Sequence, residues 1–535
     1  MKRTTTAHPQ PRKPNLSDVL PLTPLQEGLL FHAVFSQERE LDVYAVQLVL
    51  DLAGPLSPDA LRGAAAGLLE RHPNLRSAFR YRRNGEPVQI VPRAVELPWT
   101  ERDAPDAQEA RRITDADRVR PFDVARPPLL RFTLIRTGPA AHRLVLTAHQ
   151  LLFDGWSMPL LVRELFALYR DGGAELPRVT PYKTYLAHLA RQDQDAAEDA
   201  WRTALDGVAG PTLVAPGAAG RAAAVLPEHC ERELDADLTA ELGRWARSRG
   251  LTLNTLVQGA WAVTLGALTG QRDVLFGGTV SGRPPELPGV ETMVGLFINT
   301  LPVRVELDPA KPFAAVLAEL QERQAALLGH QHLGLTRVQR CAGTGELFDT
   351  VLVFENYPLD PEEMAEPAPG LRITDLAAKD ATHYPLSLIV LPGERLRLDL
   401  GYRPDLYTAQ QAEDVLSRLT GVLRQLPEAP DAPLARHGVL LSGERERLHL
   451  RPAPPADVDR FTDVVARVRE LAERTPHALA VDDGTTRLSY AELTARAAAL
   501  SHRLAEAGAG PDTLIALAAP PGTSFVTAIL GILGA

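Results

Sequence analysis

The stretch His149-Gln150-Leu151-Leu152-Phe153-Asp154-Gly155 constrains the fold of this chain most. It follows the apolar run Leu144-Val145-Leu146 and precedes a helical pattern that begins near Ser157. A strand that hands over to a helix through a short polar loop is an α/β junction. Such a junction sets a few polar side chains at the mouth of a sheet, a common place for chemistry. Ser157 is expected to cap the helix, which runs to about Tyr169 with Pro159 in its first turn. Taken alone, the same spacing also fits a buried histidine with a satisfied partner, followed by an Asp-Gly turn.

At 535 residues the chain exceeds one ordinary domain. A net charge of -10 argues against a nucleic-acid surface, and no basic run with interleaved aromatics occurs. No uncharged apolar stretch reaches the ~18–20 residues of a membrane span. The N-terminus is basic but has no apolar core of the kind a secretory signal carries. Cys230 and Cys341 are too few and too far apart for a CxxC site or a disulfide framework. The expected compartment is therefore a reducing cytoplasm. The His residues form no H-E-x-x-H pattern, and no metal site is expected. No Gly-Lys pair exists, which excludes a P-loop, and Ser281 lacks the spacing of a nucleophile elbow.

Residues 1–15 read as a flexible tail. From Leu16 to about Pro452, strand-like and helix-like segments alternate. Tyr44–Leu52 alternates like a strand, and Leu61–Glu70 has helical spacing. Residues 211–224, rich in Ala, Gly and Pro, read as a loop or lobe connection. Thr252-Leu253-Asn254-Thr255 opens an apolar helix, Leu256 to about Leu268, expected to be fully buried. Asp273–Gly277 reads as a strand entering a Gly-rich loop. Arg451-Pro452-Ala453-Pro454-Pro455-Ala456 marks the best domain boundary. The expected organisation is one lobe over 16–195, a second over 196–450, a linker over 451–460 and a separate segment over 461–535.

The His149–Gly155 stretch resembles the HHxxxDG motif of condensation domains in nonribosomal peptide synthetases, with Gln150 where the family's second histidine stands. Further segments resemble that family's motifs in the family's order. They are Leu22-Thr23-Pro24-Leu25-Gln26-Glu27-Gly28-Leu29-Leu30-Phe31-His32, Arg71–Phe79, Tyr182-Lys183-Thr184-Tyr185-Leu186, Ser281-Gly282-Arg283-Pro284, Val294–Arg304, His330–Gly334 and Phe348–Tyr357. Leu488-Ser489-Tyr490-Ala491-Glu492-Leu493 looks like the first core motif of adenylation domains, and Ala528–Ala535 like the start of their second.

The resemblance implies an α/β fold of two lobes like chloramphenicol acetyltransferase, arranged as a V, with a tunnel between them. A small α/β piece of an adenylation domain would follow, with the rest of that domain as a partner, no adenylation activity of its own, and poor order when alone. The implied reaction joins a donor acyl or peptidyl thioester to an acceptor aminoacyl thioester. Both arrive on phosphopantetheine arms of upstream and downstream peptidyl carrier proteins, and the chain binds no cofactor directly. His149, Gln150, Asp154 and Gly155 form the implied catalytic loop, with its midpoint position in the tunnel. Asp154 is expected to pair with Arg283 and His149 to orient the loop. Asn356, Ser281, Trp156 and His383 are tunnel candidates. A start near residue 1 suggests a donor carried on another polypeptide, and the Phe354–Tyr357 and His383-Tyr384-Pro385 stretches resemble domains that take a D-configured donor.

Gln150 leaves three readings open. A carboxamide donates and accepts hydrogen bonds but takes up no proton near neutral pH. The domain is slow but competent, uses an altered mechanism, or is kept as a docking platform for carriers or enzymes. An epimerisation domain shares the fold and central motif, but its place directly before an adenylation segment argues against it. A free-standing acyltransferase acting on a coenzyme A ester meets the same objection.

Overall fold

The computed structural model describes residues 15–35, 42–218, 225–356, 365–429, 431–444 and 463–535. The N-terminal tail to residue 14, the linker 451–460 and Tyr357 lie outside the described residues. The chain divides into two compact units, Met1–Ser442 and Gly443–Ala535.

The first unit holds two large mixed sheets, each with its own core. One sheet has five strands in the order Arg372–Lys379, Ala45–Ala53, Ala141–His149, Leu130–Gly138 and Trp99–Asp103. Its central strand pairs antiparallel with both neighbours, with Ala45 opposite His149. Leu48, Leu50, Leu52, Phe132, Leu134, Leu144 and Leu146 fill a core shared with helices Pro58–Arg71 and Ser157–Asp171. The alternating pattern of Tyr44–Leu52 is thus a strand because one set of its side chains meets those helices.

The second sheet has six strands in the order Asn299–Glu306, Asp273–Val280, Thr350–Phe354, Leu386–Leu391, Arg397–Tyr402 and Glu228–Glu233. Its core is built on helix Leu253–Thr269, which Thr252 caps by accepting from the Thr255 N–H. Gly259 lets a neighbouring helix come close: a Cβ there would stand 2.1 Å from Leu317 Cδ2. The helix is buried along most of its length, but Leu268 near its end is exposed.

The lobes are not consecutive pieces of sequence. Arg372–Lys379 belongs to the second half of the chain, yet it adds to the first sheet beside Ala45–Ala53. Val294, Leu296, Ala368 and Leu371 likewise sit in the first core. A division at residue 195 therefore follows the chain and not the sheets.

The helix after the motif also differs from its expected start. Trp156 holds the N-cap position, and Ser157 is the first helical residue. The capping acceptor comes from further back: Asp154 Oδ1 accepts from the Ser157 N–H at 3.0 Å. The helix runs to Asp171 and ends on Gly172, whose φ of 71° suits glycine. Glu164 on this helix accepts from Arg71 and lies against His72, which pins it to the end of Pro58–Arg71.

The second unit contains helices Val464–Arg474, Tyr490–Glu506 and Thr523–Leu533 and a short hairpin, Leu479–Asp482 with Arg487–Ser489. Ser489 and Glu492 form a capping box at the start of Tyr490–Glu506. Leu488, Leu493, Ala497 and Leu530 make a small core, while Leu479, Leu514 and Leu533 are exposed. Among the described residues no single helix is long and apolar enough to cross a membrane.

Candidate active site

The loop after strand Ala141–His149 is anchored mainly through Asp154. This carboxylate is buried. Its Oδ1 accepts from Arg283 Nη2 at 3.1 Å and from the Ser157 hydroxyl at 2.7 Å. Its Oδ2 accepts from the Phe297 N–H at 3.1 Å. Arg283 in turn donates through Nη1 to the carbonyls of Val290 and Met293, at 2.6 and 2.9 Å. The Arg283 guanidinium lies 3.8 Å from the centroid of Phe297. The Ser157 hydroxyl ties the loop to Gly295, accepting from its N–H at 3.1 Å while its oxygen lies 3.0 Å from the Gly295 carbonyl oxygen. Both halves of the chain are thereby joined around one ion pair.

Gly282 makes the approach of Arg283 feasible. Its φ is +59°, and a Cβ there would stand 1.9 Å from the Phe297 carbonyl oxygen. Tyr182 and Tyr185 close the other side, packing against Phe297 and donating to the carbonyls of Leu296 and Phe297.

His149 sits behind a wall rather than on it. The Leu151 N–H donates to His149 Nδ1 at 3.1 Å, which places the imidazole proton on Nε2. Nε2 stands 3.8 Å from Asp42 Oδ2. Burial pushes the imidazole pKa down, opposed by Asp42, so the ring is neutral near pH 7. Tyr44 and Phe122 flank it, with centroids at 6.3 and 6.4 Å. The Gln150 N–H donates to the Tyr44 carbonyl at 2.9 Å. Its carboxamide is half-buried and has no hydrogen-bond partner among the described residues. Gly155 accepts through its carbonyl from the Met158 N–H at 3.2 Å, inside the first turn of the helix.

A cleft of about 1860 Å³ lies beside this loop. Both lobes line it, with His32, Asp42, Tyr44 and Phe122 from the first half and Phe348 and His383 from the second. Of the sequence-predicted candidates, His383 is the one that lines the cleft. His149, Gln150, Asp154 and Gly155 are not among its lining residues. Trp156 donates from Nε1 to the Glu291 carbonyl at 3.0 Å and faces Arg283. Ser281 is exposed, with its Oγ 3.5 Å from the Arg283 N–H that it accepts from. Asn356 is exposed at the end of strand Thr350–Phe354. Trp156, Ser281 and Asn356 stand outside the cleft because they serve the Arg283 loop or a strand end. Among the described residues no group of side chains is arranged to hold a metal.

Sequence reasoning missed Ser157 as a ligand of Asp154, and it missed Tyr44 and His32. His32 closes the quoted opening motif, and Tyr44 heads the quoted strand. Their meeting with His383 depends on long-range packing that no local pattern displays.

The family model for condensation domains matches residues 16–449. The chain belongs to the condensation-domain family. A model for AMP-binding enzymes matches residues 468–535. A linear gramicidin synthase polypeptide of Brevibacillus parabrevis is 35% identical over 540 residues, covering 98% of this chain but 7% of the relative. The vanchrobactin synthetase VabF of Vibrio anguillarum is 33% identical over 534 residues, covering 97% of this chain and 18% of the relative. This condensation domain thus spans a small part of the relatives it matches. Among solved structures it is similar to the first condensation domain of the calcium-dependent antibiotic synthetase in complex with a substrate analogue. The TM-score is 0.66 at 22% identity, covering 80% of this chain and all of that one. It is also similar to the X-domain from teicoplanin biosynthesis, solved in complex with OxyB, with a TM-score of 0.69 at 22% identity, covering 82% of this chain and 99% of that one. At this identity the likeness establishes the fold.

Proposed function

We propose that this domain forms a peptide bond between a donor acyl or peptidyl thioester and an acceptor aminoacyl thioester. Both are presented on phosphopantetheine arms of peptidyl carrier proteins within a peptide synthetase in the cytoplasm. The observation that carries this reading is the intact anchoring of the motif loop. Asp154, Arg283 and Ser157 hold it by a buried ion pair and its hydrogen bonds, and a cleft large enough for extended thioester arms lies beside it. His149 orients the loop from within, and Asp154 and Arg283 act as scaffold. Gln150 lowers the rate, because a general base typically contributes about 10²–10⁴-fold and a carboxamide is none. Positioning of two tethered reactants supplies acceleration that needs no base at residue 150. The donor is D-configured, and residues 468–535 carry out no adenylation themselves. Single-turnover reaction of loaded donor and acceptor carriers, read by intact-protein mass spectrometry, tests the reading. A condensed product on the acceptor carrier supports it. Carriers that bind without any transfer overturn it.

A docking platform in the same assembly line is the second reading. Gln150 favours it, and an X-domain of the same fold has been solved with a protein partner. Binding of a carrier or enzyme in the absence of any condensed product distinguishes it.

A further inference from the structure

Three rings, two near the start of the chain and one 339 residues after the second, meet on the cleft wall. His32 lies on helix Pro24–Phe35, Tyr44 at the head of strand Ala45–Ala53, and His383 in the connection between strands Arg372–Lys379 and Leu386–Leu391. The His32 and His383 rings stack with centroids 4.9 Å apart. Tyr44 Oη and His383 Nδ1 are 3.1 Å apart. Tyr384 packs on the other side of His383 at 4.1 Å. All four residues line the cleft.

This cluster adjoins the motif's altered position. Gln150 bonds through its backbone to Tyr44, the residue whose hydroxyl meets His383. His383 Nε2 has no hydrogen-bond partner among the described residues, and it is absent from the buried unpaired atoms, so it opens to the cleft. An imidazole built only for packing has no need of a free nitrogen on a cavity wall. Burial pushes the His383 pKa down to about 3, with His32 and Arg403 adding to the effect, and burial lowers His32 as well. Both rings are therefore neutral near pH 7, with a lone pair available.

We propose that His383, fixed by Tyr44 and stacked on His32, is the catalytic residue that accepts the proton of the attacking amine in place of the histidine that Gln150 replaces. The inference rests on the condensation reading above. The amine nitrogen forms a bond to the thioester carbonyl carbon, and its proton becomes acidic as that bond forms. His383 Nε2 takes the proton at that stage. The carbon–sulfur bond breaks, the proton passes to the departing thiolate, and amide plus thiol result.

The test uses the full chain with loaded donor and acceptor carriers in single turnover. His383→Asn keeps a hydrogen-bonding group toward Tyr44 and removes the titratable nitrogen. Its rate should fall by about 10²-fold with an unchanged melting temperature. Adding Gln150→His to His383→Asn should restore the rate, which a merely structural role for His383 would not allow. Tyr44→Phe keeps the ring and loses the hydroxyl; it should slow the reaction by about tenfold, the effect of one lost positioning bond of ~1.4 kcal/mol. If His383→Asn does not fold, this variant decides. A folded His383→Asn that condenses at the parental rate, or a Tyr44→Phe equal to the parent, overturns the proposal while leaving the condensation reading intact. A parent that binds both carriers and makes no product overturns both.

Discussion

The two ends of the His149–Gly155 loop are built in opposite ways. At the Asp154 end both carboxylate oxygens are engaged: they meet Arg283, Ser157 and Phe297, and Ser157 reaches on to Gly295. At the Gln150 end one backbone bond to Tyr44 is made, and the carboxamide has no partner among the described residues. A buried ion pair held by several hydrogen bonds fixes geometry and is costly to break. An unengaged polar group beside a cleft contributes little to folding and is open to exchange. Gln150, which stands where the motif it resembles has a histidine, lies at the end with fewer bonds.

The largest effect should come from breaking the Asp154 end. Asp154→Ala strands the Arg283 guanidinium in a buried site, and chemical denaturation should show a loss of about 3–5 kcal/mol. A variant that unfolds like the parent would erase the contrast between the two ends. Ser157→Ala should cost less, about 1–3 kcal/mol, as one buried hydroxyl that bridges Asp154 and Gly295 is removed. A loss below a few tenths would mean that the ion pair alone holds the loop.

The smallest expected effect is in pH dependence. His149 and His383 are both held neutral by burial, with folded pKa values below the unfolded one. The stability they contribute is fully present above the unfolded pKa of about 6.5 and is lost as pH falls toward the folded values. The denaturation midpoint should therefore drop between pH 7 and pH 5, and His383→Asn should flatten part of that drop. An identical slope in the variant would mean that His383 is solvated and not held neutral.

The fold and the scaffold half of the site were legible in the sequence for a physical reason. Strand Ala45–Ala53 and helix Leu253–Thr269 carry periodic apolar residues, and Asp154-Gly155 and Ser281-Gly282-Arg283-Pro284 are contiguous motifs with local turn chemistry. The helix start was misplaced by one residue because Asp154, three positions earlier, supplies the capping oxygen that Ser157 was expected to give. The cleft wall was hidden. His383 is far in sequence from His32 and Tyr44, and their meeting depends on Arg372–Lys379 crossing to the first sheet. No periodicity encodes that crossing. Ser281 and Trp156 lie in motif-like stretches, but they meet Arg283 and the Glu291 carbonyl, and Asn356 is exposed just after strand Thr350–Phe354.

The central claim is that the Gln150 end carries chemistry and the Asp154 end carries structure. It is tested most directly by adding Gln150→His to the His383→Asn variant, measured for both melting temperature and single-turnover condensation against that variant. The account predicts an unchanged melting temperature and a rate about 10²-fold higher, the usual worth of a general base. A double variant that binds both loaded carriers, melts like His383→Asn and forms no more product would contradict it.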